Sequence, residues 1–264
     1  LHFDEIANHP FSDPQRIKKH CVALGLVLRP IDAPDQTSDD NDIFVVTTHL
    51  FWNPKFEDVK LRQAIFLTYH IAQFWPHLDR MILCGDLNST PDSAIATFFR
   101  TGKTDLRTWP VRSISGRGYG GACEGYSVFG LDGKPNNTEI EPLDQTSPLT
   151  HEQIYQLLRC PVMTHRLALH SVYQDRIQTT ATSNGNKSSK KGQAASSSTP
   201  HEPITSHFKQ FSGTLDYIFI SPLIRCQSVL KVPLDAEWDT IGHLPTTNFG
   251  SDHMILMAEL RLGA

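Results

Sequence analysis

Residues Met81–Ser93 read MILCGDLNSTPDS, and the fold turns on how that stretch is read. Met81 to Cys84 is an apolar run, which predicts a buried strand. Gly85 is expected to end it. Alternate residues of extended backbone share a face, so Asp86 and Asn88 are expected to point the same way while Leu87 points into the core. That puts a carboxylate and an amide at the carboxyl end of a buried strand, where open α/β sheets hold their active sites. Ser89 to Ser93 reads as a turn with a helix start. Taken alone, Asp86, Leu87 and Asn88 have a plainer reading, an Asx-turn that closes the strand.

Upstream of that strand, Ile43 to Thr48 is a second one, running into His49, Leu50, Phe51, Trp52, Asn53 and Pro54. Val59 to Trp75 carries apolar residues near helical spacing (Leu61, Ala64, Ile65, Leu67, Ile71, Phe74), and Pro76 stops it. Leu1 to Pro14 reads as a loop or short helical turn. Cys21 to Leu28 is a further strand, joined to the next by an acidic, polar hairpin loop over residues 30–42. Downstream, Ala94 to Arg100 is a short helix, Thr214 to Ile220 a strand, Val229 to Val232 another, and Met254 to Leu262 the closing strand. Strand, helix and strand in succession predict an α/β sandwich with a mixed sheet. Gly116 to Pro148 is a long loop region, with a short helix expected at Glu152 to Leu158. Residues 179–200 are of low complexity, rich in Ser and Lys; they cannot bury a core and are expected to be a disordered insertion with solvated lysines.

The chain has 264 residues, 24 Lys and Arg against 28 Asp and Glu, and a formal charge of -4. No basic excess marks a nucleic-acid binder, so an anionic substrate would be met by local charge or by metal ions. Cys21, Cys84, Cys123, Cys160 and Cys226 are dispersed without paired spacing, which fits a reducing compartment rather than a disulfide framework. Cys84, inside an apolar strand, reads as a small core residue. No apolar run is long enough to span a bilayer, so no membrane association is expected. The expected location is cytoplasmic, with nucleus and mitochondrion left open.

Polar groups stand at strand ends or within apolar strands at His49, at Asp86 with Asn88, at Asp216, and at Asp252 with His253. Asp216 interrupts an apolar run, where a charge is costly unless paired or metal-bound. His253 is the candidate partner. The predicted picture is an Asp–His pair and a carboxylate–amide pair around a divalent cation. Carboxylate and amide oxygens suit Mg²⁺ or Mn²⁺ rather than zinc. Phosphoryl chemistry uses such parts: a metal, a group that orients or deprotonates water, and a cation for the oxygen charge. Singly, His49 reads as a capped strand end, Asp216 as a structural salt bridge, and Ser251, Asp252 and His253 as a turn. Their joint occurrence at strand boundaries is what the separate readings explain poorly.

The segments Gly85 to Asn88, Leu215 to Ile218 and Ser251 to His253 resemble the three C-terminal motifs of the endonuclease/exonuclease/phosphatase superfamily, whose fold is DNase I-like. Thr48 to Pro54 followed by Asp58 to Gln63 resembles the segment that marks the carbon-catabolite-repressor deadenylase, nocturnin and Angel branch. Phe211 to Asp216 and Pro233 to Trp238 are similar to that branch as well. The match runs from about Cys21 to Leu262.

The resemblance implies a two-layer β-sandwich flanked by helices, and Mg²⁺-dependent phosphodiester hydrolysis on single-stranded RNA, as a 3′-to-5′ exoribonuclease. A phosphatase acting on a small nucleotide is the alternative inside the family. By resemblance, Asp86 orients or deprotonates the attacking water close to metal, and Asn88 holds the scissile phosphate. Asp216 pairs with His253, which stabilises the developing charge, and His49 contacts the phosphate. The metal ligands are Asp86, Asn88 and Asp252. Asn53, Pro54 and Phe211 line the nucleotide pocket, with Phe211 stacking on a base for about 1–3 kcal/mol. Nothing before Cys21 resembles the superfamily's first strand with its Asn, or the metal-binding Glu of its Gln-Glu motif. The expectation is therefore that residues 1–264 are the C-terminal part of one domain, with the N-terminal strands missing. That opens a third reading, a catalytically inactive interaction module.

Overall fold

The computed structural model describes residues 1–8, 18–31, 41–109, 162–174, 202–233 and 235–263. In chain order the strands are β1 (Ala23–Leu28), β2 (Ile43–His49), β3 (Met81–Asp86), β4 (Lys103–Asp105), β5 (Val162–Thr164), β6 (His170–Ser171), β7 (Ser206–Phe208), β8 (Phe211–Gly213), β9 (Asp216–Ile220), β10 (Ile224–Val229) and β11 (Ala258–Leu262). Helix α1 spans Glu57–Phe74 and α2 Ala94–Thr101. A five-stranded sheet in the order β1-β2-β3-β9-β6 forms the centre. β2 and β3 run parallel, and the other neighbours run antiparallel. β10 and β11 pair as a separate antiparallel ribbon.

Alternation along the strands sorts the sheet into two faces. Phe44, Val46, Met81, Leu83, Tyr217 and Phe219 join the main core with residues of both helices. Ile43, Ile82, Ile218 and Ile220 belong to a second cluster with Ile224, Val229 and Leu260 of the ribbon. The result is a DNase I-like α/β fold: helices on one face of a mixed sheet, a second β layer on the other. The β10–β11 ribbon leaves β1 uncovered on its side, and Leu24, Leu26 and Leu28 are 57%, 54% and 52% exposed.

The helices start and stop where their sequences direct. Glu57 and Asp58 in the first turn of α1 favour the positive end of the helix dipole. Trp75 ends it by donating its N–H to the Ile71 carbonyl, and Pro76 cannot continue the ladder. In α2 the Ser93 hydroxyl takes the Ala96 N–H, and Gly102 closes the helix in the left-handed region at φ 73.

Several boundaries differ from the sequence expectation. Gly85 does not end its strand, because β2 and β9 both continue alongside it, pairing with Thr48 and Tyr217. Its φ is 138, and a Cβ there would stand 1.9 Å from the Thr48 carbonyl oxygen. Only glycine permits that approach. The expected strand Thr214–Ile220 is broken before Asp216, where the Thr205 hydroxyl accepts the N–H groups of Leu215 and Asp216 in place of a ladder partner. The strand expected at 229–232 lies at Ile224–Val229, and the closing strand starts at Ala258 rather than Met254. The expected loop at 116–148, helix at 152–158 and insertion at 179–200 lie outside the described residues, as do Cys123 and Cys160. No described helix is long and apolar enough to cross a membrane.

Candidate active site

Sheet register sets the centre of the site. His49 at the end of β2 pairs with Asp86 at the end of β3, and Asp86 pairs with Asp216 at the start of β9. Three residues remote in sequence thus stand at one level on three neighbouring strands. His49 Nε2 lies 3.4 Å from Asp86 Oδ2. On the far side, His253 Nδ1 donates to Asp216 Oδ2 at 2.7 Å. The arrangement is imidazole, carboxylate, carboxylate, imidazole.

His253 is held from the backbone. It forms a bridge with Ser206 of β7, and the next residue, Met254, donates its N–H to the Thr205 carbonyl at 2.7 Å. The Ser206 hydroxyl donates to the Asp252 carbonyl oxygen, and the Ser251 hydroxyl takes the His253 N–H. Thr205 therefore helps to fix both members of the pair, since its hydroxyl also caps the start of β9 at Asp216.

Asn88 is reached differently from the expected strand alternation. The strand stops at Asp86, and Asn88 adopts φ 49 in the left-handed region, which Asn tolerates better than most residues. Its N–H donates to Asp86 Oδ1 at 2.7 Å. The Asx-turn of the plainer sequence reading is thus present, and it is built from the same carboxylate that faces His49. The Asn88 side-chain amide donates to the Leu50 carbonyl at 2.9 Å, and Leu50 returns its own N–H to the Asp86 carbonyl. Leu87, between them, is fully buried as expected.

Asn53 caps the short 3-10 turn Pro54–Phe56, its Oδ1 accepting the Lys55 N–H. Phe211 stands opposite Phe208 in the β7–β8 hairpin, with ring centroids 5.6 Å apart, and its ring leans over Gly213. Asn53 and Pro54 thus lie in the segment between β2 and α1, and Phe211 begins β8. Asp252 is exposed. Among the described residues, the group of donor atoms close enough to hold a metal ion is Asp86, Asp216 and His253, within 4.8 Å of one another. Asp252 adds negative charge near His253 and is not in that group.

Burial pushes the Asp86 carboxyl above the ordinary carboxylate value, and the neighbouring Asp216 adds to the rise. The Asn88 N–H and the two imidazoles oppose it. The hydrogen bond to Asp216 raises His253 above the ordinary imidazole value, against the effect of burial, with further help from the charges of Asp86 and Asp252. The hydrogen bond and these charges both favour the charged imidazolium over the neutral ring.

Sequence reasoning missed several polar residues that support the site. Lys60 and Gln63 of α1 reach the Asn88 carbonyl and the Phe51 N–H, and the Tyr217 hydroxyl donates to the Ser89 carbonyl. Lys60 and Gln63 sit at helical positions facing the core. A polar residue on an otherwise apolar helix stripe is the signal that would have found them.

No family model matches this sequence. Carbon catabolite repressor protein 4 homolog 5 of Arabidopsis thaliana is 29% identical over 242 residues, covering 85% of this chain and 47% of that protein. Protein angel homolog 2 of Homo sapiens is 25% identical over 260 residues, 83% of this chain and 44% of the relative. The crystal structure of ANGEL2, a 2′,3′-cyclic phosphatase, in complex with adenosine-2′,3′-vanadate, superposes with a TM-score of 0.60 at 25% identity, over 93% of this chain and 62% of that one. These likenesses are consistent with the endonuclease/exonuclease/phosphatase superfamily. The relatives are carbon-catabolite-repressor and Angel proteins, and the chain spans about half the length of the curated relatives it matches.

Proposed function

We propose that the protein containing this chain hydrolyses phosphodiester bonds in RNA with the help of Mg²⁺, or Mn²⁺ in its place. The observation that carries this reading is the register that aligns His49, Asp86 and Asp216 across β2, β3 and β9, with His253 bonded to Asp216. The paired carboxylates suit a hard divalent cation, since their mutual repulsion and the burial of Asp86 both favour bound positive charge. Asp86 and Asp216 would hold it, and when bound it supplies neutralising charge at the phosphate oxygens.

The chain's own groups supply the rest. Asp86, its Oδ1 fixed by the Asn88 N–H, is left with Oδ2 to orient a water and take its proton. The raised carboxyl value brings it nearer to the range useful for a base at neutral pH. His253 commits its Nδ1 proton to Asp216 and in its charged form has a second N–H for a phosphate oxygen as charge develops there. His49, 69% exposed beside Asp86, has the freedom to meet the phosphate. Asn53, Pro54 and Phe211 are proposed to line the nucleotide pocket, and Asn88 and Asp252 to stand close to the phosphate and metal.

The leading substrate is the 3′ end of polyadenylate, by resemblance to the carbon-catabolite-repressor deadenylases. The likeness to ANGEL2 favours a second reading, removal of a terminal 2′,3′-cyclic phosphate. Both can be tested in one assay. The full-length protein is incubated with Mg²⁺ and oligoadenylate ending either in a 3′-hydroxyl or in a 2′,3′-cyclic phosphate. Stepwise shortening of the first supports the exonuclease, and release of inorganic phosphate from the second, leaving a 2′,3′-diol without shortening, supports the phosphatase. If neither changes, or if Asp86→Asn is as active as the unaltered protein, the proposal fails.

A further inference from the structure

Helix α1 carries a lysine that faces the core. Lys60 is fully buried, donates to the Asn88 carbonyl oxygen at 2.6 Å and pairs with Glu57 at the helix start. Burial pushes the Glu57 carboxyl above its ordinary value, against the attraction of Lys60. Such a pair is a poor way to stabilise a fold, because well-packed apolar replacements often do as well or better. What the ammonium reaches is informative. Asn88 sits in the left-handed region, which Asn tolerates better than most residues but which still costs a residue with a Cβ some energy. Asn88 supplies two of the bonds itself, to Asp86 Oδ1 and to the Leu50 carbonyl. Lys60 supplies another from a separate element. One turn along the same helix, the Gln63 side chain accepts the Phe51 N–H at 3.0 Å. The N-terminal half of α1 thus grips both loops that follow the site strands, the one after His49 and the one after Asp86.

We infer that Lys60, held by Glu57, is a positioning residue: it pins the left-handed Asn88 and, through the Asn88 N–H, fixes the Asp86 carboxylate. The inference rests on the site reading above. It has a physical consequence that does not depend on turnover. Replacing Lys60 with the apolar, similarly long methionine should release the turn and leave the sheet intact.

The test uses the full-length protein and two readouts. In hydrogen exchange, Lys60→Met is expected to speed exchange over residues 87–90 while the amides of Met81–Gly85 and Tyr217–Ile220 stay protected. Unchanged protection at 87–90, or equal loosening of the sheet, overturns the inference. In single-turnover kinetics on whichever RNA end proves to be the substrate, Lys60→Met is expected to lower the rate by roughly 10²-fold with binding little changed, as for a misplaced reacting group. Asn88→Gly adopts the left-handed turn without a pin, so adding Lys60→Met to it should cost nothing more. The same fold-loss in both backgrounds overturns the inference. If Lys60→Met does not fold, Glu57→Gln takes its place in both measurements, with smaller shifts of the same sign. A protein inactive on every RNA end would defeat the proposed function, and hydrogen exchange would still decide the role of Lys60.

Discussion

At the scale of single residues, Asp86 divides its work between two oxygens. Oδ1 closes the turn to Asn88, and Oδ2 faces His49. Asp216 and His253 form the complementary unit. Removing a preorganised group of this kind typically costs roughly 10²–10³ in turnover, and groups that act together are not additive. In the full-length protein, Asp216→Asn, His253→Ala and the double variant should therefore fall to similar low rates while RNA binding is retained. Rates that multiply in the double variant would show two independent roles. The same pair has a signature in stability. His253 is raised above 6.5 in the folded state, so its contribution is complete below pH 6.5 and is lost as pH climbs through the raised value. Asp86 is also raised, above 3.8, so the folded protein takes up that proton more readily and loses stability as the carboxyl ionises. Melting temperature measured from pH 6.5 upward should decline, and His253→Ala should remove the part due to the pair. An identical decline in that variant would assign it to other groups.

At the scale of elements, the strands and helices that frame the site were legible because each carries a local signal. Pro76 stops α1, Ser93 and Gly102 bracket α2, and runs of apolar residues mark β2 and β3. The Asp216–His253 pair was legible too, since a charge beside an apolar strand demands a partner and the sequence offers one just before the last strand. What local pattern does not carry is register. That Asp86 stands opposite both His49 and Asp216 follows from pairings between segments far apart in sequence, and no window contains it. Gly85 shows the same limit. In sequence it reads as a terminator, whereas in the sheet it is required by the Thr48 carbonyl beside it. Gly85→Ala must therefore shift the β2–β3 pairing at the level that joins His49 to Asp86. The backbone strain alone costs about 1–3 kcal/mol. A denaturant midpoint that drops accordingly, with turnover reduced in the folded fraction, is the expected outcome. An unchanged midpoint would mean that the close approach to Thr48 is relieved without cost.

At the scale of the whole molecule, one face of the sheet decides how these residues behave by themselves. Ile43, Ile82, Ile218 and Ile220 are covered by the β10–β11 ribbon, while Leu24, Leu26 and Leu28 continue the same face on β1 and remain about half exposed. β1 is also an edge strand of the five-stranded sheet. His2 bridges to Val22 near the start of that edge, and the Ala23 N–H donates to the Leu1 carbonyl. Among the described residues no strand pairs with the outer edge of β1, and an apolar row beside such an edge is a surface that pairs with other chains unless something covers it. These residues expressed alone should therefore self-associate. Light scattering after size exclusion would show a mass that grows with concentration. The triple substitution Leu24→Lys, Leu26→Glu and Leu28→Lys should reduce that growth without disturbing the site, because these side chains point away from the helix-covered core. A wild-type chain that stays monomeric at every concentration and melts cooperatively would show that the β1 face is stable in water as it stands.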